Sequence, residues 1–251
     1  PKAAYHSPDA LPETYIALQA VLGLERAVII HPTALGEDQS RTLDALAAYP
    51  ARFRGVAVPT PATTDAELDR MHKLGVRGIR HAIVAHYPQA QGLAAELARR
   101  GADRGWHSQF LVDGEQLADL APKLMALPGE IVIDHMGRVP AELGIGHPGF
   151  QALLRMLDSG RVWVKLSGPM RFSASARFPY ADTLPFAQAL VACNPDRLVW
   201  GSDWPHINYN SGVMPNDGDL LDMLLEWAPD EAQRRRILVD NPARLYDFPM
   251  P

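Results

Sequence analysis

One cysteine, Cys193, stands in 251 residues. No disulfide can form within the chain, and no cysteine-rich metal site can be assembled from it. That count fits a reducing cytoplasm, the location expected here, and it fits a cysteine-poor periplasmic protein as well. Basic residues are also short. Lys and Arg number 24 against 29 Asp and Glu, a formal charge of −5. An acidic whole argues against nucleic acid as a partner, which calls for a basic face. It leaves room for a local arginine cluster around a small anion. No apolar run reaches the roughly 18 residues of a membrane span, and no secretory leader is expected at Pro1. A P-loop, internal repeats and low-complexity tracts are absent too, and no glycine-rich turn follows the first strand, which removes the usual signatures of nucleotide binding and solenoid folds.

What remains is a chain 47% hydrophobic with 22 prolines and 19 glycines, the balance of a fold with many short loops. Its length suits one α/β barrel, and one domain over residues 1–251 is expected. Seven short apolar runs read as strands: Arg26–His31, Arg54–Pro59, Arg77–His81, Trp106–Leu111, Glu130–His135, Arg161–Ser167 and Arg197–Asp203. Their β-branched content and length favour strands over helix turns. Amphipathic helices lie between them. Ser7-Pro8 offers a cap for a first helix carrying Leu11, Tyr15, Leu18 and Leu22 on one face. Thr64 and Glu67 have capping-box spacing ahead of Leu68, Met71 and Leu74. Asp113 precedes a stripe of Leu117, Leu120, Leu124 and Leu127. Pro148 opens a helix with Phe150, Leu153, Leu154 and Leu157. Residues Pro179–Cys193, Asp217–Trp227 and Asp230–Val239 complete the set. One helix followed by seven strand–helix units implies a parallel sheet. The expected fold is a (β/α)8 TIM barrel whose first strand precedes Pro1. The rival, an open doubly wound sheet, expects a glycine-rich phosphate turn after the first strand, and His31-Pro32-Thr33-Ala34-Leu35-Gly36 is not one.

Barrel enzymes place their chemistry at the carboxyl ends of the strands. Alternation along each strand sends Lys165 and Ser167 inward, with Asp203 beside Val199 and Gly201, His135 beside Ile131 and Ile133, Gln109 beside His107, Arg80 beside Gly78, and His31 beside Ile29. The result is a polar ring of His31, Arg80, Gln109, His135, Lys165, Ser167 and Asp203. Burying so many polar groups costs free energy unless they serve each other or a ligand. Each has a plainer reading. Asp203 could simply accept loop N–H groups, and His135 could be a satisfied core imidazole. Asp134 is expected to point the other way and cap a loop. Arg80, Arg138 and Arg171 could together form a fork for carboxylates; singly, each is an ordinary ion-pair arginine. Lys165 is expected to mimic a Lewis acid or to pair with Asp203. His81, His86 and His107 are weaker candidates, and Cys193 reads as inert.

Several segments in order carry a family likeness: Gly75-Val76-Arg77-Gly78-Ile79-Arg80, Ile133-Asp134-His135-Met136-Gly137-Arg138, Val162-Trp163-Val164-Lys165-Leu166-Ser167-Gly168, Leu198-Val199-Trp200-Gly201-Ser202-Asp203-Trp204-Pro205-His206 and Asp240-Asn241-Pro242-Ala243-Arg244-Leu245-Tyr246. Along nearly its whole length the chain resembles the amidohydrolase superfamily, in the amidohydrolase-2 branch that includes 2-pyrone-4,6-dicarboxylate lactonase and related muconolactone and sugar-lactone hydrolases. The resemblance implies that Asp203 activates water and that His135 polarises the substrate carbonyl. It implies that Arg80, Arg138 and Arg171 hold substrate carboxylates, and that His206 matches a histidine just past the aspartate. Lys165 and His31 join the expected substrate-binding set. The family's His-x-His pair belongs to strand 1. These residues hold no such pair, and it is expected ahead of Pro1.

Many superfamily members bind zinc through that pair plus further His and Asp ligands. Gln109 or His107 stands where a further metal-bearing histidine would fall, and the resemblance implies that the lactonase branch can work without a metal. No metal and no cofactor are therefore expected. The expected activity is hydrolysis of a lactone of a small carboxylate- or sugar-derived acid. The alternatives are a zinc-dependent decarboxylase or hydratase on the same barrel, a lactone isomerase, and a non-catalytic binding barrel. The expected partner is a small anionic lactone, and the sequence leaves the oligomeric state open.

Overall fold

The computed structural model describes residues 9–32, 35–83, 95–209 and 213–250. The seven expected strands all form: β1 (Ala27–Ile30), β2 (Phe53–Ala57), β3 (Val76–Ile83), β4 (His107–Val112), β5 (Ile131–Ile133), β6 (Val162–Leu166) and β7 (Leu198–Trp200). Helix α1 (Pro12–Leu22) precedes them. Between and after them come α2 (Ser40–Ala48), α3 (Asp65–Lys73), α4 (Ala95–Ala102), α5 (Leu117–Met125), α6 (Pro148–Asp158), α7 (Leu184–Cys193), α8 (Asp217–Trp227), α9 (Glu231–Arg235) and α10 (Asn241–Tyr246). The strands pair in sequence order, every neighbour parallel. Each crossover is long enough to carry a helix, which is what parallel pairing demands.

One face of the sheet is an interior. Val28, Ile30, Val56, Val132, Trp163 and Val199 pack together with Ala243, Leu245, Tyr246 and Phe248. First and last strands thus share one cluster, so the sheet curls into a half-barrel. The other face meets the helices. Ile131, Ile133, Val162, Val164 and Leu198 pack with residues of α5, α6 and α7. The segment after β7 fills the end of the interior nearest the strands' amino termini. There the Tyr246 ring lies 5.4 Å from that of His107, the first residue of β4. Among the described residues β1 and β7 are the sheet's edges.

Local signals explain several boundaries. Thr64 accepts from the Glu67 amide while Glu67 accepts from the Thr64 amide, the capping box expected for α3. His147, Asn216 and Asp230 cap α6, α8 and α9 through their side chains. Three boundaries differ from expectation. Pro179–Cys193 is not one helix: Tyr180 takes φ of 50° and a 3-10 turn covers Ala181–Thr183 before α7 begins. The last amphipathic stretch is α9 followed by a π turn, Arg236–Asp240. Helix α1 starts at Pro12, and the expected Ser7-Pro8 cap lies outside the described residues, as does His86. No described helix is long and apolar enough to cross a membrane.

Two strand registers are corrected. In β5 the inward residue is Val132, and Ile131 and Ile133 face the helices. Asp134, two residues past Val132, therefore turns inward and does not cap a loop. In β1, Val28 and Ile30 face the interior while Ile29 packs with the α2 and α3 cluster. His31 follows Ile29 to that side. The reason is common to both. Strands covered on both faces are apolar throughout, so alternation carries little information.

Candidate active site

Asp134 is the hub of a buried charge cluster at the carboxyl ends of β3 to β6. Its carboxylate is 1% exposed. It accepts from Lys165 Nζ at 2.7 Å and from Gln109 Nε2 at 2.9 Å, and Arg80 approaches to 3.7 Å. Burial alone would raise this carboxyl. The nearby charges of Lys165 and Arg80 outweigh it and hold the group below the ordinary carboxylate range. Lys165 is expected to mimic a Lewis acid or to pair with Asp203; the observed partner is Asp134. A lysine sent inward needs a buried carboxylate, and that rule points to Asp134 once Val132 is known to face the interior.

The second half of the cluster sits just beyond the strand ends. His135 opens a 3-10 turn, His135–Gly137, with φ of 50°, and Met136 and Arg138 also take left-handed φ. Asp203, three residues past β7, has φ of 62°. Such conformations cost about 1–2 kcal/mol each in non-glycine residues. Here they turn two side chains from separate strands toward each other. His135 Nε2 lies 3.7 Å from Asp203 Oδ1, and His135 Nδ1 lies 2.9 Å from Ser167 Oγ. Arg171, on the 3-10 turn Pro169–Arg171, donates from Nε to Asp203 Oδ2 at 2.8 Å. Burial pulls the His135 imidazole down to about 4, more than Asp203 and Asp134 raise it, so the ring is neutral near pH 7. Gly168 makes this approach possible. A Cβ there would meet His135 Nδ1 at 2.7 Å and Arg171 Cγ at 2.9 Å.

The other expected site residues divide. Arg138 lies 3.7 Å from Asp113 and keeps its guanidinium close to the His135 turn. His206 is buried, with Nε2 3.3 Å from Asp217 Oδ1 at the start of α8. Its amide donates to the Asp203 carbonyl at 2.8 Å, which ties it to the same turn. His31 is the exception. It turns toward α2, with Nδ1 3.0 Å from Thr42 Oγ1 and Nε2 3.0 Å from the Gly36 carbonyl oxygen. Both ring nitrogens are engaged, so the expectation that it lines the interior is corrected.

Sequence reasoning missed Asp134, Asp217 and Tyr209. Tyr209 seats the Arg171 guanidinium 6.0 Å from its ring centre, and its hydroxyl donates to the Ala176 carbonyl at 3.4 Å. Nothing in the sequence marks this tyrosine, because its partners lie about 35 residues away on another loop.

The donors among the described residues do not suit a metal. Among the described residues no three His, Cys, Asp or Glu side chains converge on one point. The best-buried carboxylate, Asp134, is already taken by an ammonium and an amide. Cations predominate instead: Lys165, Arg80, Arg171 and Arg138 face Asp134, Asp203 and Asp113. One cation in excess suits an anionic guest. An open cleft of about 560 Å³ lies elsewhere, beside the amino ends of β1 and β2, lined by Gln19, Gly23, Glu25, Arg26 and Arg52. None of the clustered charges borders it.

The amidohydrolase family profile matches residues 1–248. The chain is 41% identical over 255 residues to a 4-sulfomuconolactone hydrolase of Rhizobium radiobacter, covering 98% of this chain and 83% of that protein. It is 36% identical over 256 residues to a 2-pyrone-4,6-dicarboxylate hydrolase of Comamonas testosteroni, covering 98% and 84%. A crystal structure of an Acinetobacter baumannii protein with citric acid bound superposes with a TM-score of 0.82 at 28% identity, covering 98% of this chain and 92% of that one. A match that runs nearly end to end establishes that the chain belongs to the amidohydrolase family.

Proposed function

We propose that this hydrolase opens the ring of a small lactone bearing one or more carboxylates, with Asp203 as the base that activates water. The carrying observation is the 3.7 Å approach of the Asp203 carboxylate and the His135 imidazole at the carboxyl ends of β7 and β5. The lactone hydrolases among its relatives support the same class of substrate.

The chemistry follows from the side chains. With the Ser167 hydroxyl donating to Nδ1, neutral His135 carries its proton on Nε2 and donates to the lactone carbonyl oxygen. Asp203 takes a proton from a water molecule as the water oxygen attacks the carbonyl carbon. The tetrahedral intermediate then collapses. The carbon–oxygen bond to the ring oxygen breaks, and Asp203 returns the proton to that oxygen, leaving a hydroxy acid or, from an enol lactone, an enol that tautomerises to the keto acid. Arg80, Arg138 and Arg171 orient the substrate carboxylates. Lys165 adds positive potential from its place on Asp134, and His206 lines the mouth from the Asp203 turn. No step is routed through a metal, since the donors among the described residues do not converge on one.

An eighth strand seated between β7 and β1 would complete the (β/α)8 barrel. The shared packing of Val28, Ile30 and Val199 supports that reading.

The test is a panel of lactones, including 2-pyrone-4,6-dicarboxylate, 4-sulfomuconolactone and neutral sugar lactones, read by product mass with and without chelator. The expected product of a carboxylate-bearing ring gains the mass of one water, with a rate indifferent to chelator. Turnover confined to neutral rings would contradict the substrate class. A product of unchanged mass would mean isomerisation.

A further inference from the structure

The reading of Arg171 as a carboxylate anchor leaves one contact unused. Its Nε donates to Asp203 Oδ2 at 2.8 Å. Among the described residues its terminal nitrogens make no recorded hydrogen bond, so they remain available to a substrate anion while Nε stays on Asp203. The guanidinium is also held from behind. Tyr209 lies in the loop after β7, with its amide donating to the His206 carbonyl at 3.2 Å and its ring centre 6.0 Å from the Arg171 carbon. Its hydroxyl reaches the Ala176 carbonyl at 3.4 Å. Tyr209 thus joins the loop that carries Asp203 to the loop that carries Arg171.

We infer that Arg171, seated on the ring of Tyr209, is a positioning residue that fixes the plane of the Asp203 carboxylate, in addition to binding substrate. This rests on the reading of Asp203 as base. A carboxylate at the end of a side chain rotates freely about its last bond unless one oxygen is held. With Oδ2 held by Arg171, Oδ1 is left aimed at the gap before His135 Nε2, where water and carbonyl must meet. Base catalysis needs that alignment within a few tenths of an ångström. Tyr209 touches neither oxygen. Its contribution runs entirely through Arg171 and the loop junction.

The two roles of Arg171 separate in steady-state kinetics. A pure anchor affects KM, and a positioning group affects kcat. The experiment uses the full enzyme with 2-pyrone-4,6-dicarboxylate, or whichever anionic lactone of the panel it opens. Four variants are compared: Arg171→Ala, Arg171→Lys, Tyr209→Leu and Tyr209→Phe. Thermal melting of each establishes folding. The expected result is a fall in kcat of about a hundredfold for Arg171→Ala, the size of a lost charge-assisted hydrogen bond. Added guanidinium ion restores part of it. Tyr209→Leu lowers kcat about tenfold with KM within about twofold, while Tyr209→Phe, which keeps the ring under Arg171 and loses only the hydroxyl contact to Ala176, lowers kcat by less than Tyr209→Leu does. Should Arg171→Ala fail to fold, Arg171→Lys and Tyr209→Leu carry the same test. An increase in KM with kcat unchanged in the Arg171 variants, or a Tyr209→Leu enzyme with wild-type kcat, overturns the positioning role. Failure of the wild type to open any lactone is a different result, which defeats the functional reading and this inference with it.

Discussion

Asp134 shows how much one buried carboxylate can organise. It holds Lys165, Gln109 and Arg80 in a single interior knot, and the residue after it is His135. Lys165→Met leaves the carboxylate buried with weaker compensation. We expect a loss of about 3 kcal/mol in unfolding free energy, the scale of a broken buried ion pair, read by denaturant melts. A loss below about 1 kcal/mol would show that Gln109 and Arg80 suffice. The sequence made the polar ring legible as a set of residue types at strand ends. His135, Arg80, Lys165, Ser167 and Asp203 do gather there. The pairing within the ring was not legible. Which carboxylate meets Lys165 depends on whether Val132 or Ile133 faces inward, and a three-residue strand of Ile, Val, Ile does not say.

The turns after the strands set the site's geometry. The left-handed residues His135, Arg138, Asp203 and His206 lie in two short turns at the ends of β5 and β7. Gly168, at the end of β6, gives way to both His135 and Arg171. Gly168→Ala places a Cβ 2.7 Å from His135 Nδ1 at a backbone φ of 59°. The expected outcome is a stability loss of roughly 1–3 kcal/mol and a fall in kcat of at least about tenfold, measured by melting and steady-state assay. Unchanged kcat would mean that the His135 ring tolerates displacement. All seven strands were legible from short β-branched runs between capped helices. Their carboxyl-terminal turns were not, because positive φ at His135 and Asp203 is imposed by surrounding packing and not by local propensity. The Pro179–Cys193 stretch failed for a related reason: the helical pattern there is apolar on too many sides to mark where the first turn starts.

At the scale of the whole molecule, the parallel half-barrel buries several imidazoles without charge, and in three of them the shift is large. Burial pulls His81 to about 4, His107 to about 3 and His135 to about 4, from an ordinary value of 6.5. Between pH 6.5 and about 4 the unfolded chain protonates these rings and the folded one does not. Acid therefore favours unfolding across that window, and stability rises with pH through it. Asp134 works in a lower range, since its depressed carboxyl stabilises the fold at every pH above the ordinary carboxylate value. We expect the melting temperature to drop by about ten degrees or more from pH 7 to pH 4.5. His81→Phe, which keeps the stacking on Phe110 at 4.8 Å, should flatten part of the slope. A melting temperature constant over that range would contradict neutral burial of the three rings.

The account turns on Asp203 as the group that takes a proton from water. The most direct measurement is kcat of Asp203→Asn against wild type on an anionic lactone that the wild-type enzyme opens, with matched melting curves. The side chain keeps its size and an acceptor oxygen facing Arg171, so binding and fold should persist while kcat falls by about a thousandfold. A variant that turns over within a few-fold of wild type would place the base elsewhere.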